Sequence, residues 1–287
     1  MDAPMLAPSG PDPAVAAVVE AYEASGQPYL IVNEDHDVDW HRHVSACILD
    51  ATSQRRPMVF GGEAIPQGFH ADFDALRNPD GEIPFYVVSR FYQHIWRVAI
   101  RHDLPVFGYD RADPELSDAA LSADGVQVHE INRRERTAAE YVLRYTAPLP
   151  ERGVYLHVGF AHASETVNFN ADGMTGWLAA HLRMITGEDP VTVYQLAEDN
   201  WDWYEARDRF EFDPQRCAAM ENKTVLLRAH EGVIGCVDRD LMQYRQDVDF
   251  LWLDPIGPGI EGGPDRLDWL CPAWRADYDT TGPAAER

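Results

Sequence analysis

Short apolar runs recur along this chain with helical patterns between them, and that alternation limits the fold more than any other feature. "PYLIV" (28–32), "PMVFGGE" (57–63), "LPVFGYD" (104–110), "VYLHVGF" (154–160) and "VTVYQLA" (191–197) read as buried strands. Between the first two, Val44, Cys47, Ile48 and Ala51 recur at helical spacing in a helix that starts near Asp37. Pro84 opens "PFYVVSRFYQHIWRVAIRH", apolar on most faces and therefore central. "EINRRERTAAEYVLRY" is a third helix, and "GWLAAHLRMITG" a fourth that stops at Gly187. "KTVLLRAH" and "DVDFLWLD" add two late strands. Strands alternating with helices imply an α/β fold: a mostly parallel central sheet with helices on both faces. No linker divides the chain, so we expect a single domain over 27–254. Residues 1–26 read as a flexible leader, and 255–287 as a Gly/Pro-rich tail that docks through Trp269 and Trp274.

With 287 residues, 45% of them hydrophobic, the chain can bury a large core. Its net charge is −24, and Lys223 is the only lysine. Such a surface repels phosphate backbones and anionic bilayers, which argues against nucleic-acid and membrane partners and leaves a small-molecule substrate. The cysteines (Cys47, Cys217, Cys236, Cys271) are scattered without a C-x-x-C, a pattern of neither a zinc knuckle nor a disulfide framework. "MDAPMLAPSGPDP" has no basic and apolar signal regions, and no apolar stretch approaches a membrane span. These features together point to a cytoplasmic protein.

In parallel α/β sheets, ligands bind outside the carboxyl ends of the strands. The polar residues at those ends are Asn33, Glu34, Asp35 and His36; Glu63; Asp110; Gly159, His162 and Glu165; and Gln195. Carboxylates and imidazoles thus gather at one rim, as general acid/base or metal chemistry requires. Glu34 and His36, at i and i+2 of an extended segment, share a side and can converge. His41 lies on the helix face of Val44 and Ile48, as a core residue or a support for the site. His43 points elsewhere and is expected exposed, and His94 is expected in the core. Asp35, Asp37 and Asp39 lack the glycine and glutamate of a calcium loop and read as helix capping. Ser164 is not in a nucleophile elbow. The acidic, aromatic stretch 199–213 reads as a lid or a surface insertion.

"NEDH" followed by "HR", then "GGEA", "RRERTAAEY", "VGFAHASE" and "GEDPVTVYQ" occur in this order. Together they resemble the superfamily of erythromycin esterases, Tiki and TraB proteins and ChaN-like haem-binding proteins, over about residues 28–197. Its usual motifs are G-E-x-H and G-x-x-H. The second is intact as Gly159-Phe160-Ala161-His162, while the first has Asn33 in place of glycine. The resemblance implies a centre of Glu34, His36, Glu63 and His162, with Arg136 as the helix arginine and Arg133 and Arg134 as neighbouring registers.

The resemblance implies more than one chemistry. Erythromycin esterases resemble metal-independent hydrolases in which histidine activates water to open a lactone. Tiki proteins look like metal-dependent peptidases, for which Glu34, His36, Glu63 and His162 would hold one divalent ion (Zn, Mn, Fe or Co). ChaN-like members bind haem, but neither a haem-ligating tyrosine nor a lipoprotein signal can be placed here. The leading expectation is a hydrolase of an ester, lactone or amide bond in a small molecule, either metal-free with Arg136 stabilising an oxyanion or metal-dependent. Two histidines with two glutamates are more than a lone general base needs, which favours the metal. A haem or cofactor binder and a biosynthetic lyase or cyclase are the alternatives.

Overall fold

The computed structural model describes residues 13–36, 38–66, 92–110, 124–159, 161–170, 173–196, 225–228 and 249–253. The elements in chain order are α1 (Pro13–Ser25), β1 (Tyr29–Glu34), α2 (Asp39–Ser53), β2 (Met58–Pro66), α3 (Tyr92–Arg101) and β3 (Val106–Asp110). They continue with α4 (Asp124–Thr146), β4 (Gly153–Gly159), β5 (Val167–Asn170), β6 (Gly173–Gly176) and α5 (Leu178–Thr186). The last three are β7 (Val191–Leu196), β8 (Val225–Arg228) and β9 (Phe250–Leu253). All seven expected strands form one sheet in the order β3-β2-β4-β1-β7-β9-β8. Every neighbouring pair is parallel except β8 on β9. The α/β architecture is thus as expected.

Helices cover both faces. Val15, Val18 and Tyr22 of α1, Val44 and Ile48 of α2, and Ile95 and Val98 of α3 share one core cluster with Leu30, Phe60 and Tyr155 of the sheet. Ala139 and Val142 of α4 and Leu178 and Leu182 of α5 pack with Ile31, Val59 and Leu156 on the other. Even and odd positions of β1 and β4 therefore feed opposite cores, as the two-residue repeat of a strand requires. α5 ends at Gly187, whose φ of 74° is the left-handed cap glycine adopts without strain.

Several expectations are corrected. Residues 13–25 of the expected leader are a helix with Val15, Val18, Val19 and Tyr22 buried. Aspartate does not cap α2: its N-cap is Val38, without a side-chain cap bond. His43 is fully buried and meets His94 edge to face at 5.5 Å. Cys47 is disulfide-bonded, whereas Cys217, Cys236 and Cys271 lie outside the described residues. The antiparallel hairpin β5–β6 was not anticipated. The start of the helix expected from Pro84, the 199–213 stretch and the 255–287 tail also lie outside the described residues. No helix among the described residues is long and apolar enough to cross a membrane.

Candidate active site

Register brings the strand ends together. Glu34 stands opposite Gly159 in the β1–β4 pair, and Gly62 opposite His157 in the β2–β4 pair. Between β2 and β3 the register shifts: Gly62 faces Gly108, but Pro66 faces Asp110. The extra residues of β2 form a bulge where Glu63 sits, a device that re-aims a side chain at a sheet end.

Glu34 is the anchor of one half of the site. It is 1% exposed, and a carboxylate can be buried so deeply only if paired. Arg42, buried in α2, donates Nε to Glu34 Oε2 at 2.8 Å and Nη2 to the His36 carbonyl at 2.5 Å. His157 Nε2 lies 3.3 Å from Glu34 Oε2. His36 Nδ1 and Glu34 Oε1 share a hydrogen bond of 2.7 Å. Burial pushes the Glu34 carboxyl up, but His157, His36 and Arg42 outweigh it and hold the group below its ordinary range. Burial also holds His157 down, to about 4, so it is a neutral imidazole at pH 7. His36 is different: its side chain is 40% exposed. Burial works against its charge, but the bond to Glu34 and the Glu34 and Glu63 charges raise its pKa above the ordinary histidine value. His41 supports the turn by accepting the Asp35 N–H at Nδ1, 2.9 Å away.

Glu63 and His162 form the other half. Glu63 Oε2 accepts the Gly159 N–H, and Oε1 takes Arg134 Nη2 at 3.0 Å. His162 Nε2 is 3.1 Å from Glu63 Oε1, and its Nδ1 bonds Glu135 Oε2 at 2.6 Å. Burial would keep this imidazole neutral; the two carboxylates overcome it and raise its pKa to about 10. Glu63 is correspondingly held far below the usual carboxylate range, against its burial, by His162, Arg134 and the Gly159 N–H. Arg134 also grips Asp110 with Nε at 3.0 Å and Nη2 at 2.8 Å.

Gly159 is where the halves meet. A Cβ there would lie 2.9 Å from Glu63 Oε2 and 3.2 Å from His36 Nε2. Only glycine lets both groups close over the strand end. Glu34, His36, Glu63 and His162 are thus brought to one rim, but Arg136 is not. It is 67% exposed and pairs with Glu140, one turn along its own helix, at 2.9 Å. The arginine of the site is Arg134, two residues earlier and therefore on another side of α4. Asn33, the departure from the usual motif, accepts the Gln195 N–H while Gln195 donates back to the Asn33 carbonyl. Its side chain ties β1 to β7, and Gln195 serves that clamp.

Arg42, His157, Glu135 and Arg134 are the site residues that sequence reasoning missed or passed over. His157 gave a signal, an imidazole inside an apolar strand at i−2 from Gly159. Arg42 gave almost none, because α2 is buried from His41 to Asp50 and has no polar stripe against which an inward arginine would stand out.

No protein-family model matches the chain, and no curated protein matches it. Among solved structures it is similar to the erythromycin esterase EreC, a mutant in its open conformation, with a TM-score of 0.54 and 10% identity over 84% of this chain and 92% of that one. The type III effector HopBA1 is similar at a TM-score of 0.45 and 11% identity, over 89% of this chain and 100% of that one. The RRSP effector domain of a MARTX toxin from Vibrio vulnificus has a TM-score of 0.41 and 14% identity, covering 59% of this chain and 35% of that one. The first likeness shows a shared fold with an erythromycin esterase.

Proposed function

We propose that this chain is a hydrolase of an ester, lactone or amide bond in a small molecule, with His36 as its general base. The observation that carries this reading is the contrast in exposure: His36, with Glu34 on its Nδ1, is 40% exposed, whereas His157 and His162 are buried. Glu34 on Nδ1 holds the tautomer that leaves Nε2 to take a proton, and Arg42 and His157 hold Glu34. Water loses a proton to Nε2 as its oxygen attacks the carbonyl carbon; the leaving group takes that proton back as its bond breaks. Arg134 and the charged His162 supply positive charge across Gly159, the role assigned to Arg136 from sequence.

The donors fit a divalent ion less well. Among the described residues, no three His, Cys, Asp or Glu side chains are grouped to share one. Glu34 and Glu63 each already carry a guanidinium, and His162 spends both ring nitrogens on carboxylates. The decisive assay is a panel of esters, lactones and amides, run with and without chelator on wild type and His36→Ala. Chelator-resistant turnover that disappears in His36→Ala supports the reading. Turnover abolished by chelator and restored by Zn, Mn, Fe or Co would replace it with the metal reading. A Soret band in the purified protein would favour haem binding, and product formed without incorporation of labelled water would favour a lyase or cyclase.

A further inference from the structure

The opposite end of the sheet holds a cavity of about 370 Å³, where the chain enters β2, β3 and β4. Its wall includes Arg55, Arg56, Met58, His102, Leu104 and Arg152. Met58 and Glu63 are five residues apart along β2, roughly 16 Å at the rise of a strand, so this cavity is separate from the rim. Three arginines meet here in a chain whose net charge is −24. Their charge is only partly answered from within.

Arg56 has no carboxylate partner among the described residues; its guanidinium lies over the Tyr22 ring, 5.2 Å from the centroid. Arg152 spends Nη1 on the Met58 carbonyl at 3.2 Å. Its Nε is buried without a hydrogen bond, 3.7 Å from Glu151 Oε1. Arg55 pairs with Glu23 at 3.0 Å and His102 with Asp50 at 2.6 Å, while Asp103 is the acid in the lining. A half-buried guanidinium without an anion is costly, and planar forks are the groups that grip phosphate oxygens in pairs.

We propose that this cavity binds the phosphate group of a small molecule between Arg56 and Arg152, with Arg55 at its edge. The volume falls in the range of small-molecule sites and exceeds what a bare phosphate fills. This site is independent of the hydrolase reading, since none of its residues belongs to the rim.

The test is titration of the full chain with inorganic phosphate and, separately, adenosine monophosphate, followed by calorimetry and amide NMR at constant ionic strength. Saturable binding is expected, with amide shifts at residues 53–56, 58, 102–104 and 152. Arg56→Gln and Arg152→Gln should each weaken it about ten- to a hundredfold, as expected for loss of a charge-assisted bond. Arg136→Gln, on the exposed face of α4, should not. Tighter binding of the nucleotide would identify a phosphate ester as the ligand, and tighter binding of the inorganic ion would identify free phosphate. If one variant fails to fold, judged by circular dichroism, the other carries the test. Absence of saturable binding up to about 10 mM, or binding unchanged in both folded variants, would overturn the proposal.

Discussion

The two histidine–carboxylate couples of the rim look alike in a list of contacts and differ in what they can do. His36 bonds Glu34 through Nδ1, feels the Glu63 charge as well, and is 40% exposed. His162 has two carboxylates, Glu63 and Glu135, one on each nitrogen, and is buried beneath Trp177, whose ring it meets edge-on at 5.1 Å. A carboxylate on one nitrogen orients an imidazole and sharpens it as a base. Carboxylates on both nitrogens lock it as a cation, with a pKa of about 10. On the proposed reading, a bonded carboxylate on each nitrogen and deep burial make His162 a structural charge, while exposure leaves His36 able to act as the base.

The largest way to break this contrast is through the group behind His36. Arg42→Ala leaves the Glu34 carboxylate buried without its guanidinium, which should cost about 3–5 kcal/mol in urea unfolding and remove turnover. A loss below about 1 kcal/mol would mean that Glu34 is not held as described. Next in size, His36→Ala should reduce turnover by about a hundredfold or more and leave the melting temperature close to that of wild type. Equal losses of turnover and stability would instead make His36 a structural residue.

Changing the other couple should register in stability against pH. His162 is raised from 6.5 to about 10 on folding, so its contribution is complete below pH 6.5 and lost as pH rises through 10. Glu135→Gln removes one of its two anions and should bring the folded pKa down. The alkaline fall in melting temperature should then be smaller, with less stability to lose above pH 6.5. An alkaline limb identical to that of wild type would show that Glu135 does not sustain the charge. The smallest effect is expected at Arg136: Arg136→Ala should change stability by no more than about 0.5 kcal/mol and leave turnover intact, because it is 67% exposed and its ion pair among the described residues is with Glu140 on its own helix.

The sheet was legible because its strands announce themselves as short apolar runs, and their ends could be read directly as a rim. Glu34, His36, Glu63 and His162 followed from that rule, since parallel order places the ends of β1, β2 and β4 side by side. What resisted reading was helical phase. Arg133, Arg134 and Arg136 project about 100° per residue apart, so a motif that fixes the helix leaves open which arginine turns inward. Arg42 resisted for a related reason, lying in a helix buried on every side. The roles of the histidines were also out of reach, because they depend on Glu135 and on burial, which no local pattern records. Helix α1 was hidden by its Ala-rich, Pro-flanked sequence, which reads as a leader until Val15, Val18 and Tyr22 are seen packed on the sheet.

Whether His162 is a locked cation and His36 a titrating base can be measured without a substrate. Two-dimensional NMR of histidine-labelled protein, assigned with His36→Ala and His162→Gln, follows each ring through pH 5–10. His36 should give up its proton at a pH above 6.5, and His162 should keep its own through neutral pH, titrating near 10. A neutral His162 ring at pH 7, or a His36 ring without any titration in this range, would contradict these roles.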